Sequence, residues 1–191
     1  MRDYRPGWPW VIAALLGLAL AVSCRPVADS AGEEKYSNPP RAVTATEDLH
    51  LTGSPPEAVD IAAYRLEIDG LVESPLSLSY EDILAYPAVT EVVLLICPGV
   101  FQDNAEWTGV PVWRLLEDAG LKAEATRVVF HADSYTATLP LDEITGNDSI
   151  FLAHTVNGET LPLEHGYPLR LVAEDELGYN WVKWVDRLEV E

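Results

Sequence analysis

Apolar residues at Tyr64, Leu66 and Ile68 alternate with polar ones at Arg65, Glu67 and Asp69, which predicts a half-buried strand closed by the turn Asp69-Gly70. Ser79 followed by Tyr80-Glu81-Asp82 predicts a helix start, with Ser79 as N-cap and acids in the first turn. Pro87 keeps that helix short. Residues 92–96 are apolar on both faces, the pattern of a central strand. Pro111 suits the first turn of a second helix over 112–119, with Gly120 placed to end it. Residues 127–131 and 135–139 read as strands around the turn Ala132-Asp133-Ser134. Residues 151–156 run into Asn157-Gly158, the strongest short hairpin signal in the chain. Residues 169–173 and 186–190 complete a strand-rich set with short helices, which predicts an α+β fold rather than a doubly wound sheet. No glycine-rich phosphate loop is present, which disfavours a dinucleotide site.

Before residue 60 the pattern differs. Arg2 and Arg5 precede an uncharged stretch whose residues 11–22 are apolar apart from Gly17, a positive n-region and a short h-region. Residues 1–23 are therefore expected to be a signal peptide. Ala21-Val22-Ser23-Cys24 resembles a bacterial lipobox, with Cys24 the lipidated residue; an uncleaved anchor is the alternative. Residues 24–59, rich in Pro, Ser, Ala and Glu, read as a tether. Residues 60–191 are long enough for one domain with an ordinary core. Either reading of the N-terminus puts that domain outside the cytoplasm, at the outer face of a bacterial membrane or in the periplasm.

The net charge of −19 sharpens the choice of partners. Such a surface excludes nucleic acid, which needs Lys and Arg to neutralise phosphates, and it favours neutral or cationic partners. Among residues that could carry chemistry, His50, His131, His154 and His165 lack metal-ligand spacing. Tyr179, Trp181 and Trp184 beside Lys183 read as packing, and Arg170 as a salt-bridged structural arginine. Cys97 stands apart. It ends an apolar strand just before Pro98-Gly99, and with Cys24 lipidated it has no disulfide partner. A lone thiol in an oxidising compartment points first to metal ligation.

Several segments in order then carry a resemblance. Tyr64-Arg65-Leu66-Glu67-Ile68-Asp69-Gly70, Cys97-Pro98-Gly99, Glu106-Trp107-Thr108-Gly109-Val110-Pro111 and Asn157-Gly158-Glu159-Thr160-Leu161-Pro162 are four of them. His165-Gly166-Tyr167-Pro168-Leu169-Arg170, Gly178-Tyr179 and Val182-Lys183-Trp184-Val185 follow in register. Together they resemble the molybdopterin-binding domain of the sulfite oxidase family, over essentially the whole domain. The resemblance implies that family's mixed-sheet fold, a molybdenum–molybdopterin cofactor and Cys97 as a ligand of the molybdenum. It also implies that His165 and Arg170 contact the pterin and its phosphate, that Trp181, Val182 and Lys183 hold the cofactor's other side, and that Asp133 lines the pocket. The implied activity is two-electron oxygen-atom transfer, with a haem protein exchanging the electrons. A cofactor-free binding or assembly module that keeps the fold, with Cys97 a structural thiol, is the competing reading.

Overall fold

Leu66 and Ile68 are fully buried and Glu67 between them is exposed, so the alternating segment forms strand β1 (Leu66–Gly70). The structure is a computed structural model that describes residues 42–133 and 135–191. The expected signal peptide and the lipidation site Cys24 lie outside the described residues.

β1 begins a mixed five-stranded sheet. Its neighbours are β2 (Leu76–Leu78), antiparallel, and β10 (Arg187–Val190), parallel; β5 (Arg127–Ala132) and β6 (Tyr135–Pro140) follow in the order β2-β1-β10-β5-β6. Gly70 has φ +85°, and a Cβ there would stand 2.2 Å from the Val190 carbonyl oxygen, so the turn after β1 requires glycine. Helix α1 (Tyr80–Leu84) starts with a complete capping box: Ser79 accepts from the Asp82 backbone, and Asp82 accepts from that of Ser79. Helix α2 (Val112–Ala119) follows Pro111, which stands at the N-cap rather than inside the first turn, and Gly120 ends it at φ +70°. A short α3 (Leu141–Ile144) follows β6.

The second sheet runs β3 (Val89–Cys97), β4 (Phe101–Pro111), β7 (Ile150–Val156), β8 (Glu159–Thr160), with β9 (Arg170–Ala173) also paired to β7. Its two faces are both buried. Ile150, Leu152, Leu171 and Ala173 join the larger core shared with the first sheet and α2. Phe151, Ala153 and Val172 point the other way, into a smaller cluster with Val93, Leu95, Trp107, Trp181 and Leu49. Asn157 and Gly158 both have positive φ, which makes the tight turn between β7 and β8 that their sequence predicts.

Two findings differ from the sequence reading. Among the described residues, the strand that carries the thiol stands at the edge of its sheet, where the sequence predicts a central one. Its apolar run is accommodated because residues 93–96 are covered on both faces, while Val92 is exposed, and the turn Gly178–Asn180 packs against its Cys97 end. The second concerns residues 42–59, placed in the tether. Leu49 is buried in the smaller cluster, and Thr44 donates from its backbone to Asn104 at 2.7 Å. Asn157 Nδ2 donates to the Thr44 carbonyl and to Thr46 Oγ1. This arm lies on β4, whose buried Asp103 and Asn104 give it polar partners where the other strands offer apolar ones.

Candidate functional site

β3 ends at Cys97, whose backbone carbonyl accepts from Val100 across the turn Pro98-Gly99, with Gly99 at φ +74°. The half-buried thiol faces a cavity of about 510 Å³. Its walls come from four places: Cys97, Pro98 and Val100; Thr52, Gly53 and Ser54 of the arm; Tyr135 of β6; and Gly178, Tyr179, Trp181, Lys183 and Trp184. Gly178 makes room for the sulfur, because a Cβ at that position would stand 2.4 Å from Cys97 Sγ and 2.9 Å from Leu95 Cδ1. The Tyr135 hydroxyl donates to the Tyr179 carbonyl and ties β6 to that wall.

Two cations act on the thiol. Arg170, at the start of β9, is 3% exposed, and its Nη1 donates to the His165 carbonyl at 3.0 Å. The guanidinium lies 5.1 Å above the Trp107 ring and 5.8 Å from that of Trp181. Its Nε is buried without a hydrogen-bond partner, as is Trp107 Nε1. Lys183 bridges to Arg170 across a β-bridge, and Gly166 packs between them: a Cβ there would be 3.0 Å from Arg170 Cβ and 3.2 Å from Lys183 Cβ. The ammonium donates to the carbonyls of Thr52 and Glu164, each at 2.8 Å. Neither cation pairs with a carboxylate among the described residues.

The electrostatics follow from that geometry. Burial pushes the Cys97 thiol up, Asp103 adds to this, and Arg170 and Lys183 pull it back toward thiolate. Burial pulls Arg170 down to about 10 and Lys183 down to about 8. His165 is lowered by its own burial and then by both cations, so it is a neutral imidazole near pH 7. For Lys183 the linkage has a definite sign. In the unfolded chain the amine holds its proton to a pKa of about 10.4, whereas in the folded chain it releases it near 8. Between these values the unfolded state binds more protons, so the penalty for burying this charge is full below pH 8 and disappears as pH rises. The urea midpoint of the cofactor-free protein, measured against Lys183→Met, should therefore gain relative stability between pH 8 and 10; a flat difference between the two contradicts the assignment.

Of the sequence-derived site residues, the structure brings Cys97, Trp181 and Lys183 onto one cavity, with Arg170 and His165 buried directly behind it. Val182 faces the larger core, and only its backbone serves the region, accepting from Leu171 and donating to Asn180. Asp133 does not line the cavity; it is exposed at the β5–β6 turn with φ 43°, and Tyr135, two residues on, is the wall residue. Sequence reasoning missed Thr52, Gly53 and Ser54, because their stretch carries no periodicity, and it assigned Tyr179 and Trp184 to packing. The acidic run Glu174-Asp175-Glu176 lines a separate depression of about 250 Å³ with Glu143 and Asn147. Glu176 supports the site from behind: its carbonyl accepts from Trp181 Nε1 at 3.1 Å, and its carboxylate accepts from Asn180 Nδ2 in the turn Gly178–Asn180.

A thiol able to become a soft thiolate, two buried cations that pair with no carboxylate among the described residues and an orphaned guanidinium N–H form a donor set that fits an anionic, metal-bearing group. Comparisons with known proteins agree. The sequence pattern of the oxidoreductase molybdopterin binding domain matches residues 52–191. The chain is 36% identical over 149 residues to the uncharacterized oxidoreductase YuiH of Bacillus subtilis, covering 77% of this chain and 75% of that protein. It is 32% identical to the protein-methionine-sulfoxide reductase catalytic subunit MsrP of Gluconobacter oxydans, covering 66% of this chain and 46% of that one. Among solved structures, the sulfane dehydrogenase SoxCD from Paracoccus pantotrophus superposes with a TM-score of 0.64 at 34% identity, over 70% of this chain and 39% of that one. The chain thus spans most of YuiH but less than half of the two larger enzymes.

Proposed function

Because the chain belongs to the oxidoreductase molybdopterin-binding domain family, we propose that it is a molybdenum-dependent oxidoreductase that transfers an oxygen atom with two electrons, with the Cys97 thiolate as a ligand of the metal. When bound, the cofactor supplies the two-electron redox centre. The chain's own residues supply the setting. Arg170 and Lys183 would neutralise the cofactor's negative charge, and the guanidinium keeps an unused Nε–H that could donate to it. They also favour the deprotonated sulfur that a metal needs. His165, neutral, can donate or accept without adding charge. Trp181, Trp184, Tyr135 and Tyr179 form the aromatic walls of the cavity around the sulfur.

The reading extends to the cell. An N-terminal lipid on Cys24, or an uncleaved anchor, would hold the domain at the outer face of the cytoplasmic membrane or in the periplasm. Electrons would then pass singly to or from a haem partner. The observation that carries the reading is the thiol at the mouth of a cavity with two buried cations beside it that pair with no carboxylate among the described residues. Elemental analysis of protein purified from its own host should find about one molybdenum per chain, and acid treatment should release a fluorescent pterin. Metal-free protein from a host that makes the cofactor would instead support the cofactor-free module.

A further inference from the structure

We infer that Asp103 and His50 form a latch that positions the arm wall of the candidate site. The purpose of the latch rests on the proposed cofactor site; its geometry and its test do not. Asp103 lies on β4, is 3% exposed, and both of its oxygens are engaged by one residue. His50 donates its backbone N–H to Oδ2 at 2.7 Å, and its ring Nδ1 stands 2.8 Å from Oδ1. The imidazole also stacks on Phe101 at 4.6 Å between centroids and 5° between planes. Phe101 is the register partner of Cys97. One side chain thus ties the arm to the strand pair that presents the thiol.

A buried carboxylate is costly unless its oxygens are hydrogen-bonded. Here the partner comes from a segment with little apolar anchorage, since Leu49 is buried but Leu51 is 59% exposed. Only Leu51 separates the latch from the residues it would place. The Thr52 carbonyl accepts from Lys183 Nζ, and Thr52, Gly53 and Ser54 line the cavity beside Cys97. Releasing His50 leaves that wall held chiefly through Lys183. His50 and Asp103 are positioning residues: they act on the thiol's surroundings through the arm.

Three variants of the full chain test this, because the His50 side chain is largely exposed and its loss leaves the core intact. His50→Ala removes the ring contact, His50→Asn puts an amide N–H near the place of Nδ1, and His50→Gln puts one nearer that of Nε2. In cofactor-free protein, iodoacetamide labelling of Cys97, resolved by peptide mass, should be about tenfold faster in His50→Ala, the scale of one charge-assisted hydrogen bond. Amides of residues 44–54 should exchange faster to a similar degree, with strands β3 and β4 unchanged. Asn should restore the wild-type rates and Gln should not. Loaded His50→Ala should also release its cofactor faster. Equal labelling in wild type and His50→Ala, or equal behaviour of Asn and Gln, overturns the latch. Wild-type protein without molybdenum would sink the proposed function and still leave the labelling pattern to decide the latch.

Discussion

Replacing Arg170 with methionine is expected to make the cofactor-free protein more stable and the loaded protein incapable of keeping its cofactor. The guanidinium is buried, has one carbonyl partner and two aromatic faces, and leaves Nε unsatisfied. Burying a cation costs several kcal/mol, against which a hydrogen bond and the ring contacts return roughly 1–3 kcal/mol. Methionine fills comparable space without that deficit, so the denaturation midpoint of the cofactor-free form should rise by the equivalent of about 1–3 kcal/mol. Cofactor content should fall to background in the same variant. The opposite signs matter, since a merely structural arginine would lower stability when removed and leave cofactor content in proportion to folded protein. A drop in the cofactor-free midpoint would identify Arg170 as structural.

Gly178→Ala is the second change with a large expected effect. The added methyl would meet Cys97 Sγ at 2.4 Å, the Leu95 side chain at 2.9 Å and the Ile96 carbonyl at 3.2 Å. Leu95 can yield by a rotamer change; the sulfur can yield only by turning from its present direction or by pushing the turn Gly178–Asn180 away from β3. Overpacking of this kind costs about 1–3 kcal/mol. The site should suffer more than the fold, with molybdenum content reduced at least about tenfold in a variant that still unfolds cooperatively. Full metal content with a normal melting transition would show that the sulfur's direction is not set by this glycine.

Much of the fold was legible because local chemistry and tertiary demand coincide. β1 alternates as it packs, Ser79 and Asp82 close a capping box, and Asn157-Gly158 turns β7 into β8. β4, the longest of the described strands, was not legible. Its sequence Phe-Gln-Asp-Asn-Ala-Glu-Trp-Thr-Gly-Val-Pro buries Asp103 and Asn104, so the apolar period is broken where the arm supplies polar partners. The same pairing hid the arm: a segment satisfied by hydrogen bonds to a buried carboxylate reads as a polar linker. The edge position of β3 was masked because its cover comes from a turn about 80 residues later in sequence, which no local pattern announces.

The site divides in the same way. Cys97 is visible as a thiol where a strand gives way to Pro-Gly. Arg170 and Lys183 look ordinary in sequence, and their meaning lies in what the described residues do not give them, a carboxylate paired with either cation. Absence of a partner is a three-dimensional property. Gly178 similarly matters for the space it leaves beside a sulfur that is distant in the chain.

The claim that Cys97 is a metal ligand is tested most directly by X-ray absorption at the molybdenum edge, on wild type and Cys97→Ser prepared alike in a cofactor-competent host. The serine variant should lose a sulfur neighbour from the metal's inner shell or lose the metal altogether, while the fold, read by its melting transition, is kept. An unchanged sulfur shell around fully retained molybdenum in Cys97→Ser would contradict the account.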